Sequence, residues 1–292
     1  MAFVVDGILD NQKLYEAQKL SARAGYRMAS VEVELPKWNK TLVRDRLLGC
    51  SLTGWQDMIN ATKMSKKDEM ELASELRDIA VKAGELYAKD LGLNKPLLST
   101  ALKPEGTLSL LPTVSPGLHF SHSQYYIRRV RINAIDPLCK VCEDLGYPVF
   151  PEVGQDIETC KTKVIEFPVK APQGRTKYTV SAIEQLETYK MFMENYVEHN
   201  ASNTISVKND EWDGVVQWVY DNWDTVIGLT FISLDDSFYQ LLPYEAITEE
   251  EYNRRVADMK PFVPSLISKY EVEEMELDIG NESCASGSCP VR

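Results

Sequence analysis

No apolar run in the sequence approaches the roughly 20 residues that a membrane-spanning helix needs. The longest candidate, Val226 to Leu234, is broken by Thr230 and Ser233. The opening "MAFVVDGILDNQ" lacks a basic segment and reaches Asp6 too early for a secretory signal. Basic residues are in deficit, 32 Lys and Arg against 44 Asp and Glu, for a net charge of −12. That sign argues against gripping duplex nucleic acid, which takes clustered Lys and Arg to displace counterions. No Gly-Lys-Ser/Thr completes a Walker loop. The expectation is a cytoplasmic globular protein whose six cysteines are read singly, not as a disulfide framework.

Residues 8 to 92 read as helical. "SKKDEMELASELRDIAVKAGELYAKDLG" repeats Met70, Leu72, Leu76, Ile79, Ala80, Ala83 and Leu86 at helical spacing. In "RDRLLGCSLTGWQDMI", Gly49 and Gly54 mark places where another backbone approaches. After residue 95 the pattern turns to strands, at "LLSTALK", "YYIRRVRI", "TKVIEFPVK", "SNTISVK" and "VIGLTFISL". Helical patterns intervene at Ile135–Leu145, Ile183–Glu198, Glu211–Asn222 and Thr248–Met259, the last with a capping box from Thr248 to Glu251. Strands alternating with helices predict parallel pairing in an α/β sheet or barrel. The end differs, with six acidic residues between Glu271 and Glu282 and then "CASGSCPVR", a composition expected to stay flexible. Three regions follow: helical 1–95, α/β 96–270 and the tail 271–292.

One loop stands out, "ALKPEGTLSLLPTVSPG" at residues 101–117. In α/β proteins ligands gather at the carboxyl ends of strands, and a strand-to-helix turn presents unpaired N–H groups to an anion. Pro104 fixes the turn, Gly106 admits an oxyanion near the backbone, and Thr107 and Ser109 supply hydroxyls. Glu105 opposes phosphate unless its side chain points away. Phosphate binding and an ordinary capped turn both remain open on pattern alone. Cys284 and Cys289 are joined by small residues that let the sulfurs meet, which suits a redox dithiol, a metal clip or two idle thiols. No neighbouring His supports the metal. Cys139 and Cys142, on a predicted helix, read as packed thiols, and Cys50 and Cys160 as structural. Tyr125 and Tyr126 read as strand packing, and Arg129 and Arg131 as ion-pairing residues. His119 and His122 lie near the loop, and Trp212, Trp218 and Trp223 are expected to pack their helix onto the sheet.

Taken together, "STALKPEGTLSLLPTVSPGLHFSHSQYYIRRVRI", "RDRLLGCSLTGWQD", "HNASNTISV" and "CASGSC" resemble, in order and over nearly the whole chain, the carboxyl-terminal half of adenosylcobalamin-dependent (class II) ribonucleotide reductases. The resemblance implies the second half of a ten-stranded α/β barrel, preceded by a helical region and followed by a flexible tail. It implies that Glu105, Gly106, Thr107, Leu108 and Ser109 hold substrate phosphates through backbone amides. It also implies that Cys284 and Cys289 re-reduce an active-site disulfide and are recharged by thioredoxin. The radical cysteine of the family stands in an Asn-Pro-Cys run, which this sequence lacks. The expectation is therefore one piece of a split enzyme that reduces ribonucleoside di- or triphosphates. A companion chain would supply the radical site and most of the adenosylcobalamin contacts, and no metal ligands are expected here. A non-catalytic regulatory subunit and a fragment of a longer chain are the alternatives.

Overall fold

Several helices of the computed structural model begin where a side chain caps them. The structure describes residues 3–234 and 240–271, so Cys284, Cys289 and the tail expectation lie outside the described residues. In chain order the elements are β1 (Val4–Val5), β2 (Ile8–Leu9), α1 (Asn11–Ala29), α2 (Pro36–Asp45), α3 (Trp55–Thr62) and α4 (Lys66–Asp90). There follow β3 (Tyr125–Asn133), α5 (Pro137–Asp144), β4 (Val149–Pro151) and β5 (Thr162–Lys170). The chain then forms α6 (Ala182–Asn195), β6 (Asn203–Val207), α7 (Trp212–Asp221), β7 (Leu229–Ser233), β8 (Tyr244–Ala246) and α8 (Glu249–Asp258). Asp10, Ser65, Ser181 and Thr248 each accept an N–H of the first turn that follows, which satisfies donors a helix start leaves open.

Two compact units share these elements, residues 1–121 with 172–236 and residues 122–171 with 237–292. In the first, chain segments around Cys50, Thr100–Leu102, β6 and β7 lie side by side in parallel. Cys50 bridges Thr100, Leu102 bridges Ala201, and β6 pairs with β7 from Asn203↔Leu229 to Val207↔Ser233. Helices α4, α6 and α7 bury their apolar stripes with this set: Leu72 and Leu76, Leu186, Tyr189 and Phe192, and Val215 and Trp218 join Ile205 and Val207 in one core. Polar crosslinks stitch it. Buried Gln18 donates to the Tyr196 hydroxyl at 3.0 Å, and that hydroxyl donates to the Cys50 carbonyl at 3.0 Å.

The second unit departs from the expectation of parallel pairing. Its sheet runs β4-β5-β3-β8, and every pair is antiparallel, with β3 and β5 in register across nine residues from Tyr125↔Lys170 to Asn133↔Thr162. A helix between two strands resembled a crossover in the sequence. Here α5 is followed by the short strand β4, and β5 runs back along β3. The segment "LLSTALK" also falls short of a full strand, pairing only as single bridges at Thr100 and Leu102 because the chain peels away at Lys103. The expected pairing of Arg129 and Arg131 holds: Arg129 donates through Nε to Glu166 at 2.7 Å and also pairs with Glu245, while Arg131 pairs with Glu152. Glu166 also takes Arg255 from α8 at 2.7 Å, so one buried carboxylate serves two guanidinium groups. Cys139 and Cys142 are buried free thiols, and burial pushes Cys142 up to about 11, far from a reactive thiolate. Trp218 is buried and donates to Glu187 at 2.6 Å, whereas Trp223 is exposed and does not pack as expected.

Truncating Glu166 tests the ion-pair centre. Glu166→Ala leaves buried Arg129 with the half-exposed Glu245 as its remaining carboxylate, which is expected to cost about 3–5 kcal/mol. A fall in the urea midpoint measures it, and an unchanged midpoint contradicts it.

Candidate functional site

The loop that peels off at Lys103 returns to the fold at Leu118, and both arms are tied to the segment 51–57. Lys103 donates its backbone N–H to the Ser51 hydroxyl at 3.0 Å on the outgoing arm. On the return arm Gly117 donates to the Thr53 hydroxyl at 3.1 Å, and Gly54 donates to the Ser115 carbonyl at 2.9 Å. Asp57, in the first turn of α3 and wholly buried, accepts from the Ser115 N–H at 2.7 Å and the Ser121 hydroxyl at 3.1 Å. Burial pushes the Asp57 carboxyl above its usual range, and these two donors oppose that shift.

Two glycines make the closure possible. A Cβ on Gly117, at φ 52°, would lie 2.5 Å from the Lys103 carbonyl oxygen, so the arms touch backbone to backbone there. A Cβ on Gly54, at φ 73°, would lie 2.9 Å from Val114. The loop also carries Glu105 at φ 55° and Thr113 at φ 56°, where side-chain-bearing residues rarely sit. Such strain persists only where the surroundings over-determine it, as the two tied arms do here.

The tip holds the five residues singled out in the sequence. Glu105 in the left-handed region is followed by Gly106, Thr107 and a single 3-10 turn, Leu108–Leu110. The Ser109 N–H turns inward to the Glu105 carbonyl at 3.0 Å. The N–H groups of Glu105, Gly106, Thr107 and Leu108 make no hydrogen bond within the described residues. Successive unpaired amides around a left-handed residue form an anion-binding concavity. Ser109 is 1% exposed and its hydroxyl has no partner among the described residues, a costly state for a buried polar atom unless a ligand or water meets it. Glu105, Gly106, Thr107, Leu108 and Ser109 are thus together at one tip.

His119 follows the loop and is a backbone connector. Its Nδ1 lies 2.9 Å from the Pro116 carbonyl, and its Nε2 accepts the Thr204 N–H at 3.0 Å. His122, in the other unit, stacks on Tyr244 with ring centroids 5.6 Å apart. Sequence reading missed the anchoring roles of Ser51, Thr53, Asp57 and Ser121. The signal for Ser51, Thr53 and Asp57 was present as "CSLTGWQD", two hydroxylated residues and a glycine followed by a carboxylate, but spacing did not say what it would hold.

A cavity of about 240 Å³ opens between β1–β2, α1 and the same 51–58 segment, lined by Leu9, Gln18, Ser21, Thr53 and Met58 among others. It lies below the usual range for small-ligand sites, roughly 300–1,000 Å³. Among the described residues no group of three or more His, Cys, Asp or Glu is placed to hold a metal ion. No described helix is long and apolar enough to cross a membrane.

No family model matches the chain. Its relatives include the adenosylcobalamin-dependent ribonucleoside-triphosphate reductases of Lactobacillus acidophilus, 27% identical, and Lactobacillus gasseri, 28% identical. Each match covers 96% of this chain and 41% of the relative. A crystal structure of a B12-dependent (class II) ribonucleotide reductase superposes with a TM-score of 0.77 at 25% identity, over 90% of this chain and 40% of that one. The class Id reductase alpha subunit of Actinobacillus ureae, at 14% identity and a TM-score of 0.50, shares the fold alone. The chain therefore spans about two fifths of the length of the curated relatives it matches. Sequence and mixed α/β structure agree with the resemblance read from the motifs: the chain is a homologue of one part of the adenosylcobalamin-dependent, class II ribonucleotide reductases.

Proposed function

We propose that this chain is the carboxyl-terminal part of a class II ribonucleotide reductase. Its share of the reaction would be to hold the substrate's phosphates and to deliver reducing equivalents. The observation that carries the reading is the tied loop with four unpaired amides, at residues 105–108, beside the buried, partnerless Ser109 hydroxyl. Backbone donors fixed before the ligand arrives bind anions without an ordering cost, which suits the phosphates of a ribonucleoside triphosphate. The relatives' names favour the triphosphate over the diphosphate.

The second role falls to Cys284 and Cys289. One thiolate attacks the oxidised active-site disulfide and forms a mixed disulfide, and the other thiolate resolves it. The active site gains two electrons and two protons, and a Cys284–Cys289 disulfide remains for a thioredoxin-like dithiol to reduce. The radical cysteine and its disulfide partners come from the portion of the reductase not spanned here, in our reading a companion chain completing a ten-stranded barrel. The sequence has no Asn-Pro-Cys run, and the relatives are more than twice as long as the matched part. Adenosylcobalamin, the relatives' cofactor, supplies radical initiation when bound. The 240 Å³ cavity is too small to seat a corrinoid, and no step is assigned through it. In this reading the organised phosphate loop leaves the reaction's radical chemistry to the companion.

Two outcomes follow. Gly117→Ala drives a methyl group into the Lys103 carbonyl, so triphosphate affinity is expected to fall at least about tenfold while the core keeps its circular dichroism. Unchanged affinity by calorimetry removes the loop from the reading. In the assembled enzyme, Cys284→Ser with Cys289→Ser is expected to spare the first turnover and abolish thioredoxin-driven multiple turnover. Undiminished steady-state turnover contradicts the shuttle, and loss of the first turnover as well points to a structural role for the tail.

A further inference from the structure

The parallel set loses a member where the loop leaves it. Ser202 still donates to the Leu102 carbonyl at 2.8 Å, but beyond that point the neighbouring segment has peeled away and the β6 edge is covered by side chains. Gln185 covers Ser206 from both sides, accepting its N–H and donating to its carbonyl, each at 3.0 Å. At Thr204 the cover is His119. A backbone amide can only donate, so Nε2 must offer its lone pair; Nδ1 then carries the ring proton and donates it to Pro116. The ring is neutral with one tautomer fixed. Burial acts in the same direction, holding its pKa below the ordinary 6.5.

The place of this bond gives it consequence. His119 stands two residues after Gly117, where the return arm lies against the Lys103 carbonyl. The outgoing arm leaves the sheet from a segment paired with residues 201 and 202. The return arm meets the same strand two residues later, through the His119 ring. The imidazole therefore closes a circuit from strand to loop and back to the adjoining strand.

We propose that His119 is a positioning residue that clips the return arm of the loop to the edge of β6, so that the anion affinity of the amides at 105–108 depends on the bond between His119 Nε2 and the Thr204 N–H. This rests on the reading of residues 105–109 as a phosphate loop. The ring spends both nitrogens on backbone groups, Pro116 and Thr204, and in this role acts through backbone placement. The neighbouring Leu118 belongs to the apolar core of the unit with Leu76, Leu186, Phe192 and Ile205, so the test must separate loosening of the loop from loosening of the core.

Three substitutions separate the ring's two bonds. In His119→Gln the amide oxygen reaches the Nε2 position and can still accept from Thr204. His119→Asn reaches only the Nδ1 position, and His119→Ala reaches neither. The probe is inorganic triphosphate, titrated into the full chain by calorimetry, with amide hydrogen exchange read in parallel. His119→Gln is expected to bind within about twofold of the parent, and His119→Asn and His119→Ala about tenfold more weakly, the value of one lost hydrogen bond. Exchange should accelerate at Thr204 and across 104–118 in the two weak variants and stay unchanged in α4 and α6. Parental affinity in His119→Ala, or recovery by Asn and not Gln, overturns the proposal. So does exchange that rises equally in α4 and α6, which marks His119 as a piece of core. If the parent chain itself binds no triphosphate, the phosphate-loop reading fails, and the exchange pattern at Thr204 still decides separately whether the clip exists.

Discussion

A single buried carboxylate organises the site. Asp57 is wholly out of solvent and spends its two oxygens on the Ser115 N–H and the Ser121 hydroxyl. A carboxylate in that position is costly unless its hydrogen bonds are made, so the return arm is held to α3 by the penalty for letting go. The first-turn position adds the favourable end of the helix dipole. With that arm fixed, Gly117 can rest on Lys103, the strained residues Glu105 and Thr113 are kept in place, and the amides of 105–108 are left without a partner among the described residues. The unsatisfied donors at the tip are stabilised by bonds made ten residues away.

The sequence made the loop legible because its cues were local: Pro104, Gly106 and Gly117 mark a sharp excursion, and small hydroxylated residues mark its arms. Helices were legible for the same reason. The predicted 135–145, 183–198, 211–222 and 248–259 spans enclose α5, most of α6, α7 and α8, and Thr248 accepts the Glu251 N–H as the capping box requires. The anchors were not legible. Asp57 lies 58 residues before Ser115 and 64 before Ser121, and Thr204 lies 85 residues after His119, so nothing in local spacing relates them.

Strand direction was the other loss. Alternation of burial marks a strand but carries no sign for the direction of its partner, and β3 with β5 reads equally well either way. The antiparallel answer comes from the return of the chain after β4, together with the buried Arg129–Glu166 pair, which is a cross-strand neighbour in that register. Trp223 shows a similar limit. Its place in a run of three tryptophans suggested packing, yet it sits after α7 has ended and faces solvent.

In the division of labour proposed above, the fold positions a means of capture and the reactive sulfur lies in the portion of the reductase that this chain does not span. The division can be measured by supplying the chain, at saturating adenosylcobalamin and dithiol, with a ribonucleoside triphosphate, first alone and then with the amino-terminal reductase portion that carries the Asn-Pro-Cys cysteine. No deoxyribonucleotide from the chain alone and turnover once the second portion is added are the expected results. Steady deoxyribonucleotide formation by this chain alone would contradict the account at its centre.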